Sequence, residues 1–199
     1  MASSEKIKIE FEPLILETKH PFGISYGTSQ TIENILVRLK FGQYTGYGES
    51  SPSSYHEETL ATVSALLKGW SEGDILGTNP LEIQPVLNRL NKSVAGNRSA
   101  KATIDMALHD LAGKMIGTPV FDFYGLRGMP SPITDFTIGI DNLEMVEKKT
   151  REAIDAGYKH LKVKQGTDYD KDIIKTIRKV SASVPVRVDA NGAWTAKEA

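Results

Sequence analysis

From Lys6 to Glu17 the chain alternates. Ile7, Ile9 and Phe11 fall on one side, Lys6, Lys8 and Glu10 on the other. Period two predicts a strand with one buried face. Residues 18–31 are rich in Gly, Ser and Thr, with His20-Pro21 and Gly27, and read as a loop. Ile35–Phe41 and Tyr44–Glu49 are predicted as two further strands joined by a Gly-containing turn, and Ser51–Ser54 as a second loop. The period then changes. Glu57–Trp70 places Leu60, Val63, Leu66 and Leu67 on one helical face, and Pro80–Asn91 is predicted as a second helix. Ala100–Met115 carries Ala102, Ile104, Met106, Ala107, Leu108 and Leu111, with small residues interspersed, so close packing is expected. Gly117-Thr118-Pro119 stops that helix. Three strands followed by helices describe an α+β unit.

Past Pro132 the rhythm is regular: strand Ile133–Ile140, helix Leu143–Ala156, strand His160–Lys164, helix Tyr169–Ser181, strand Val186–Asp189. Alternating strand and helix predicts a parallel sheet, either doubly wound or closed into a barrel. Thr195 to Glu198 has the pattern of a capping box, which announces another helix. A helix nucleus needs its helix, and a three-stranded parallel sheet leaves apolar faces uncovered. The chain is therefore expected to be a piece of a longer polypeptide; a frayed natural terminus is the alternative.

Composition narrows the classes. With 40% hydrophobic and 25% charged residues and a net charge of -1, nothing marks a nucleic-acid surface. Cysteine is absent, which excludes a disulfide framework and thiolate chemistry and suits a reducing cytoplasm. No apolar stretch approaches the roughly 20 residues that span a bilayer. Met1 to Glu10 lacks the apolar core of a signal peptide. The expectation is a soluble cytoplasmic protein, with homo-oligomerisation left open.

The candidate chemistry sits at strand ends. Lys162 and Lys164 are two apart on a predicted strand, so both amines share a face. In a barrel that end is the mouth, where active sites lie. Two ammonium groups about 7 Å apart repel, and repulsion with partial burial lowers a lysine pKa toward the range of a general base. Lys6 and Lys8 repeat the spacing on a strand whose polar face is solvated, so spacing alone does not decide. Asp189-Ala190-Asn191-Gly192 ends the next strand; it offers a carboxylate to the same mouth, and it is equally a turn sequence. Asp135, Asp141, Asp168 and Asp170 read as capping or solvated residues.

Together these segments resemble the muconate lactonizing enzyme subgroup of the enolase superfamily. The matching motifs are Lys162-Val163-Lys164, Asp189-Ala190-Asn191, Gly46-Tyr47-Gly48-Glu49, and the helix from Ala102 to Lys114 with Gly117-Thr118-Pro119. Pro21 to Gly27 and Thr137 to Asp141 look most like the dipeptide epimerases. The resemblance implies an α+β capping domain over residues 1–130, followed by the first strands of a (β/α)8 barrel over 131–199.

The resemblance also implies roles: Asp189 as a Mg2+ ligand with Asn191 supporting it, Lys164 as the base that moves an α-proton, and Lys162 as a stabiliser of the enediolate. Tyr26, Thr137, Lys162 and Tyr55 would line a dipeptide substrate, although Tyr55 reads equally as a surface aromatic at a loop tip. Members acting on Ala-Glu have an Arg where this chain has Tyr26, so a hydrophobic or uncharged dipeptide is expected. The family's other metal ligands and its opposite-face lysine have no counterpart before Ala199, so the 199 residues are expected to hold a half-site, inactive by itself. o-Succinylbenzoate synthase or cycloisomerase activity, and a non-catalytic scaffold, are the alternatives.

Overall fold

The computed structural model describes residues 5–199. The first four, part of the stretch read above as lacking a signal-peptide core, lie outside the described residues. Packing divides the chain into two units. One holds residues up to Leu16 with Glu33–Met129, the other Glu17–Ile32 with Pro130–Ala199.

Three strands, β1 (Lys8–Ile24), β2 (Gly27–Phe41) and β3 (Tyr44–Ser50), pair in the order β1-β2-β3. β2 and β3 run antiparallel from Ile35 opposite Ser50 to Phe41 opposite Tyr44. Alternation decides which side is covered: Ile35, Val37 and Leu39 are buried, while Arg38 and Lys40 reach Glu12 and Glu10. The loop expected over 18–31 is instead strand, with only Ser25 and Tyr26 left in the turn. Pro13 and Pro21 lack a donor N–H, which an edge strand such as β1 tolerates.

Helices α1 (Leu60–Glu72), α2 (Ile83–Ser93) and α3 (Arg98–Ile116) complete the first core, followed by the short α4 (Val120–Phe123). α1 starts three residues later than expected because Thr59 and Thr62 cap it reciprocally, at 3.1 and 2.9 Å. α3 lies directly on β3, and Gly46 and Gly48 make that contact possible. A Cβ at Gly46 would stand 2.1 Å from the Ala107 carbonyl oxygen, and one at Gly48 2.0 Å from that of Thr103. Asp110 fastens the pair, accepting from Tyr47 N–H at 2.8 Å and from Lys114 Nζ at 2.6 Å. Ile104, Ala107, Leu108 and Leu111 are buried as expected; Ala102 and Met106 instead face outward, because two neighbouring stripes already fill the contact with β3.

In the second unit β4 (Asp135–Ile138), β5 (His160–Lys164) and β6 (Val186–Asp189) form a parallel sheet in that order, with α5 (Leu143–Asp155) and α6 (Asp170–Val180) as crossovers. β5 and β6 begin and end where the sequence predicts. Residues opposite each other in parallel strands share a face. Phe136, Ile138, Leu161, Val163 and Val186 therefore lie on one side, packed against Val146 and Ala153 of α5 and Ile173 and Ile177 of α6. The other side carries Asp135, Thr137, His160, Lys162, Lys164, Arg187 and Asp189. After β6, the Glu198 carboxylate reaches back to Thr195 N–H and Oγ1, both at 2.8 Å. Among the described residues no helix is long and apolar enough to cross a membrane.

Candidate active site

The polar face of the parallel sheet carries a charged cluster at the C-terminal ends of β5 and β6, apart from the Arg187–Asp135 pair further back. Lys164 of β5 stands opposite Asp189 of β6 in the register, and Lys162 stands opposite Arg187 and Thr137. Both lysines converge on one oxygen: Lys162 Nζ and Lys164 Nζ each lie 2.8 Å from Asp189 Oδ2. The two ammonium groups therefore do not face each other unopposed, as spacing alone implied; a carboxylate bridges them. Lys164 is the more enclosed, 8% exposed, and it also donates to Asn191 Oδ1 at 2.9 Å.

The turn after β6 builds the other half. Asn191 adopts the left-handed conformation at φ 50, which Asn tolerates better than most residues. Its N–H donates to Asp189 Oδ1 at 2.9 Å, closing an Asx-type turn, while its side chain faces Lys164. The turn reading of this segment is thus observed, and the turn presents the Asp189 carboxylate to both lysines. Hydrogen bonds from Lys162, then Lys164, then the Asn191 N–H hold the Asp189 carboxyl well below the usual carboxylate range.

The loop after β5 is held by Asp170. Its carboxylate accepts from the N–H groups of Gly166 and Thr167, from Thr167 Oγ1 at 2.7 Å and from Trp194 Nε1 at 2.9 Å. Burial pushes the Asp170 carboxyl upward, and these four donors outweigh it, leaving it below its ordinary value. The capping or solvated role read from sequence is thus not what Asp170 does: it is the first residue of α6, whose N-cap Tyr169 makes no side-chain cap, and its carboxylate ties the loop ahead of the helix instead. Gly166, at φ 119, passes close to the neighbouring loops: a Cβ there would lie 2.7 Å from Ala193 Cβ and 2.9 Å from Ser25 Cβ.

Ser25 brings the β1–β2 turn against the loop after β5, and Tyr26, its neighbour, is 66% exposed. Thr137 lies on the polar face of β4 and on the wall of a cavity of about 460 Å3 that Phe22, Phe136, Ala153 and Tyr158 also line. Tyr55 lies in the first unit, on a 3-10 turn at Ser54–His56; it is 78% exposed and edge-on to His56. Two residues that the sequence did not single out touch the β1–β2 tip: Lys149 donates to the Pro21 carbonyl at 2.9 Å, and Glu152 accepts from Lys19 and His20. These partners stand more than a hundred residues apart along the chain, beyond the reach of any local pattern.

Residues 10–125 match the mandelate racemase / muconate lactonizing enzyme N-terminal domain. An L-Ala-D/L-Glu epimerase of Bacteroides thetaiotaomicron is 37% identical, over 95% of this chain and 48% of its own length. A hydrophobic dipeptide epimerase of Enterococcus faecalis is 34% identical, over 92% of this chain and 53% of its own. The chain thus spans about half the length of these curated relatives. A crystal structure of a dipeptide epimerase from Enterococcus faecalis, complexed with Mg and L-Leu-L-Tyr, superposes with a TM-score of 0.86 at 32% identity. That match covers 97% of this chain and 56% of the other.

Proposed function

The chain belongs to the mandelate racemase / muconate lactonizing enzyme family, and on that premise we propose that it is the capping domain and first barrel strands of a Mg2+-dependent dipeptide epimerase. Residues 1–130 would form the cap and 131–199 the start of the (β/α)8 barrel. A closed barrel would turn the polar face of β4, β5 and β6 inward. That would explain why the seven paired positions on it, spread over the three strands, carry polar or charged residues while the opposite face is apolar.

The donors at this mouth suit Mg2+ in kind. Asp189 offers a carboxylate of the kind that would hold the ion, and the Asn191 N–H, 2.9 Å from its Oδ1, supports it. These donors are too few to hold the ion: among the described residues no group of three His, Cys, Asp or Glu side chains gathers. Further carboxylates would come from later strands of the parent protein, together with a lysine for the opposite face. When bound, Mg2+ supplies positive charge against the substrate carboxylate as the substrate becomes an enediolate.

The chain's own residues divide the remaining work. Lys164 removes or returns the α-proton on one face, held in place by Asp189 and Asn191, while a lysine of a later strand would serve the other face. Lys162, two residues earlier and more open, stabilises the developing oxyanion. Asn191 fixes the Asp189 carboxylate through its N–H. Thr137 and Tyr26 border the substrate, with Tyr55 as a further substrate contact. Tyr26 favours a hydrophobic or uncharged dipeptide, since an aromatic ring gives a side-chain carboxylate no counter-charge. The two relatives described above differ on this point, one acting on Ala-Glu and one on hydrophobic dipeptides.

The observation that carries this reading is the shared contact of Lys162 and Lys164 with Asp189 on neighbouring parallel strands. It is tested by incubating the full-length protein with Mg2+ and dipeptides in D2O and following the α-proton by NMR. Exchange with L-Ala-L-Leu faster than with L-Ala-L-Glu is expected. A clear preference for L-Ala-L-Glu would remove Tyr26 as the discriminator. No exchange with any dipeptide, alongside turnover of an o-succinylbenzoate or muconate precursor, would replace epimerisation by the other chemistries of the subgroup.

A further inference from the structure

Within the second unit, the tip of the β1–β2 hairpin is fastened to α5 and to the end of the β4 segment at four successive points. Glu152 of α5 accepts from Lys19 Nζ and His20 Nε2, both at 2.8 Å. Lys149, one turn earlier, donates to the Pro21 carbonyl at 2.9 Å and pairs with Asp141 Oδ2 at 3.0 Å. The Ile140 N–H donates to the Gly23 carbonyl at 2.8 Å. Glycines bring the backbones together there: a Cβ at Gly23 would meet the Ile140 carbonyl oxygen at 2.3 Å, and one at Gly139 would meet Gly23 N at 3.0 Å.

These contacts differ in what their loss would cost. Lys19 is exposed, so its pair with Glu152 contributes little by itself. The Lys149 side chain is only 4% exposed, and its ammonium has the Pro21 carbonyl and Asp141 as its partners. Lifting residues 19–23 away would leave a buried ammonium short of an acceptor, which is costly. The hydrogen bonds from Lys19 and then His20 lower the Glu152 carboxyl to about 2, so that anchor stays charged throughout the neutral range.

We propose that Glu152 and Lys149 are positioning residues that anchor Lys19–Pro21 on α5 and thereby hold Tyr26 beside the site. The tip runs on from Pro21 to Gly23, which the Ile140 N–H holds; only Ile24 and Ser25 then precede Tyr26, and Ser25 abuts Gly166. Selection by Tyr26 then depends on side chains that never touch substrate. A mobile ring cannot reject a carboxylate side chain, whereas a fixed one can. This rests on Tyr26 being the specificity residue of the proposed epimerase.

Two readouts on the full-length protein separate the anchor from that reading. In Glu152→Gln and Lys149→Met, amide exchange of residues 18–28 is expected to quicken by roughly tenfold or more while β5 and β6 stay protected. Preference for L-Ala-L-Leu over L-Ala-L-Glu should narrow by roughly tenfold, through KM more than kcat. Glu147→Gln, which loses only a surface pair with Arg151 on the same helix, should change neither. Unchanged exchange at 18–28 in both variants would overturn the anchor. Faster exchange with unchanged preference would overturn its link to Tyr26. If the wild type epimerises no dipeptide, the functional reading fails, and the exchange measurement still decides the anchor.

Discussion

Lys164 and Asp189 face each other across β5 and β6, paired in the register and joined at 2.8 Å between Nζ and Oδ2. Parallel strands bring their ends to the same edge, so the last residue of one strand can meet the last residue of the next. Lys162 joins the same oxygen because two residues back along a strand returns to the same face.

This arrangement sets the charge state of Asp189. In Lys164→Met the carboxylate loses one of its two ammonium partners, so its titration should move up toward the ordinary value near 3.8. Carboxyl 13C shifts followed from pH 6 to about pH 1.5 would record this. A titration unmoved by the substitution would show that Lys164 does not hold the carboxylate.

A second acid-range effect comes from Glu152, whose carboxyl is lowered from 4.5 to about 2 by Lys19 and His20. A depressed carboxyl stabilises the folded state above its unfolded pKa, and that contribution fades as pH falls through the folded value. Its window therefore runs from about 4.5 down to about 2. Thermal unfolding of Glu152→Gln should depend less steeply on pH within that window than unfolding of the wild type. Parallel pH profiles would contradict the pairing.

Gly48 tests the packing of α3 on β3. The Cβ of Gly48→Ala would lie 2.0 Å from the Thr103 carbonyl oxygen, so strand or helix must move. A loss of about 3 kcal/mol in urea unfolding is expected. An unchanged midpoint would mean that the two elements are not in direct contact.

Glu58 is buried, and its carboxylate accepts the N–H groups of Arg98 and Ser99 at the start of α3, at 2.5 and 3.0 Å. It caps that helix from a distant part of the chain, where the helix's own Asn97 makes no side-chain cap. Glu58→Ala should cost about 2 kcal/mol, and chemical denaturation would measure it.

The parallel half of the fold was legible in the sequence because its signals are local. Val186–Asp189 and His160–Lys164 are short, β-branched or alternating, and bounded by Gly, Pro and polar residues, so their limits follow directly. The β1–β2 tip was not legible. Thr18, Ser29 and the His20-Pro21 pair have loop composition, yet they are paired as strand because residues 21–23 dock on Ile140 and Lys149, far along the chain. The same separation hid Glu58 and Glu152. The site was half legible: the spacing of Lys162 and Lys164 placed both amines on one face, but only the register showed Asp189 between them.

The most direct test is α-proton exchange into a dipeptide in D2O, compared between the full-length wild type and Lys164→Ala with Mg2+ present. Loss of exchange on one face by roughly 10^2- to 10^4-fold, with the protein still folded, is the expected result. Exchange at the wild-type rate would show that Lys164 transfers no α-proton and that its place beside Asp189 is structural only.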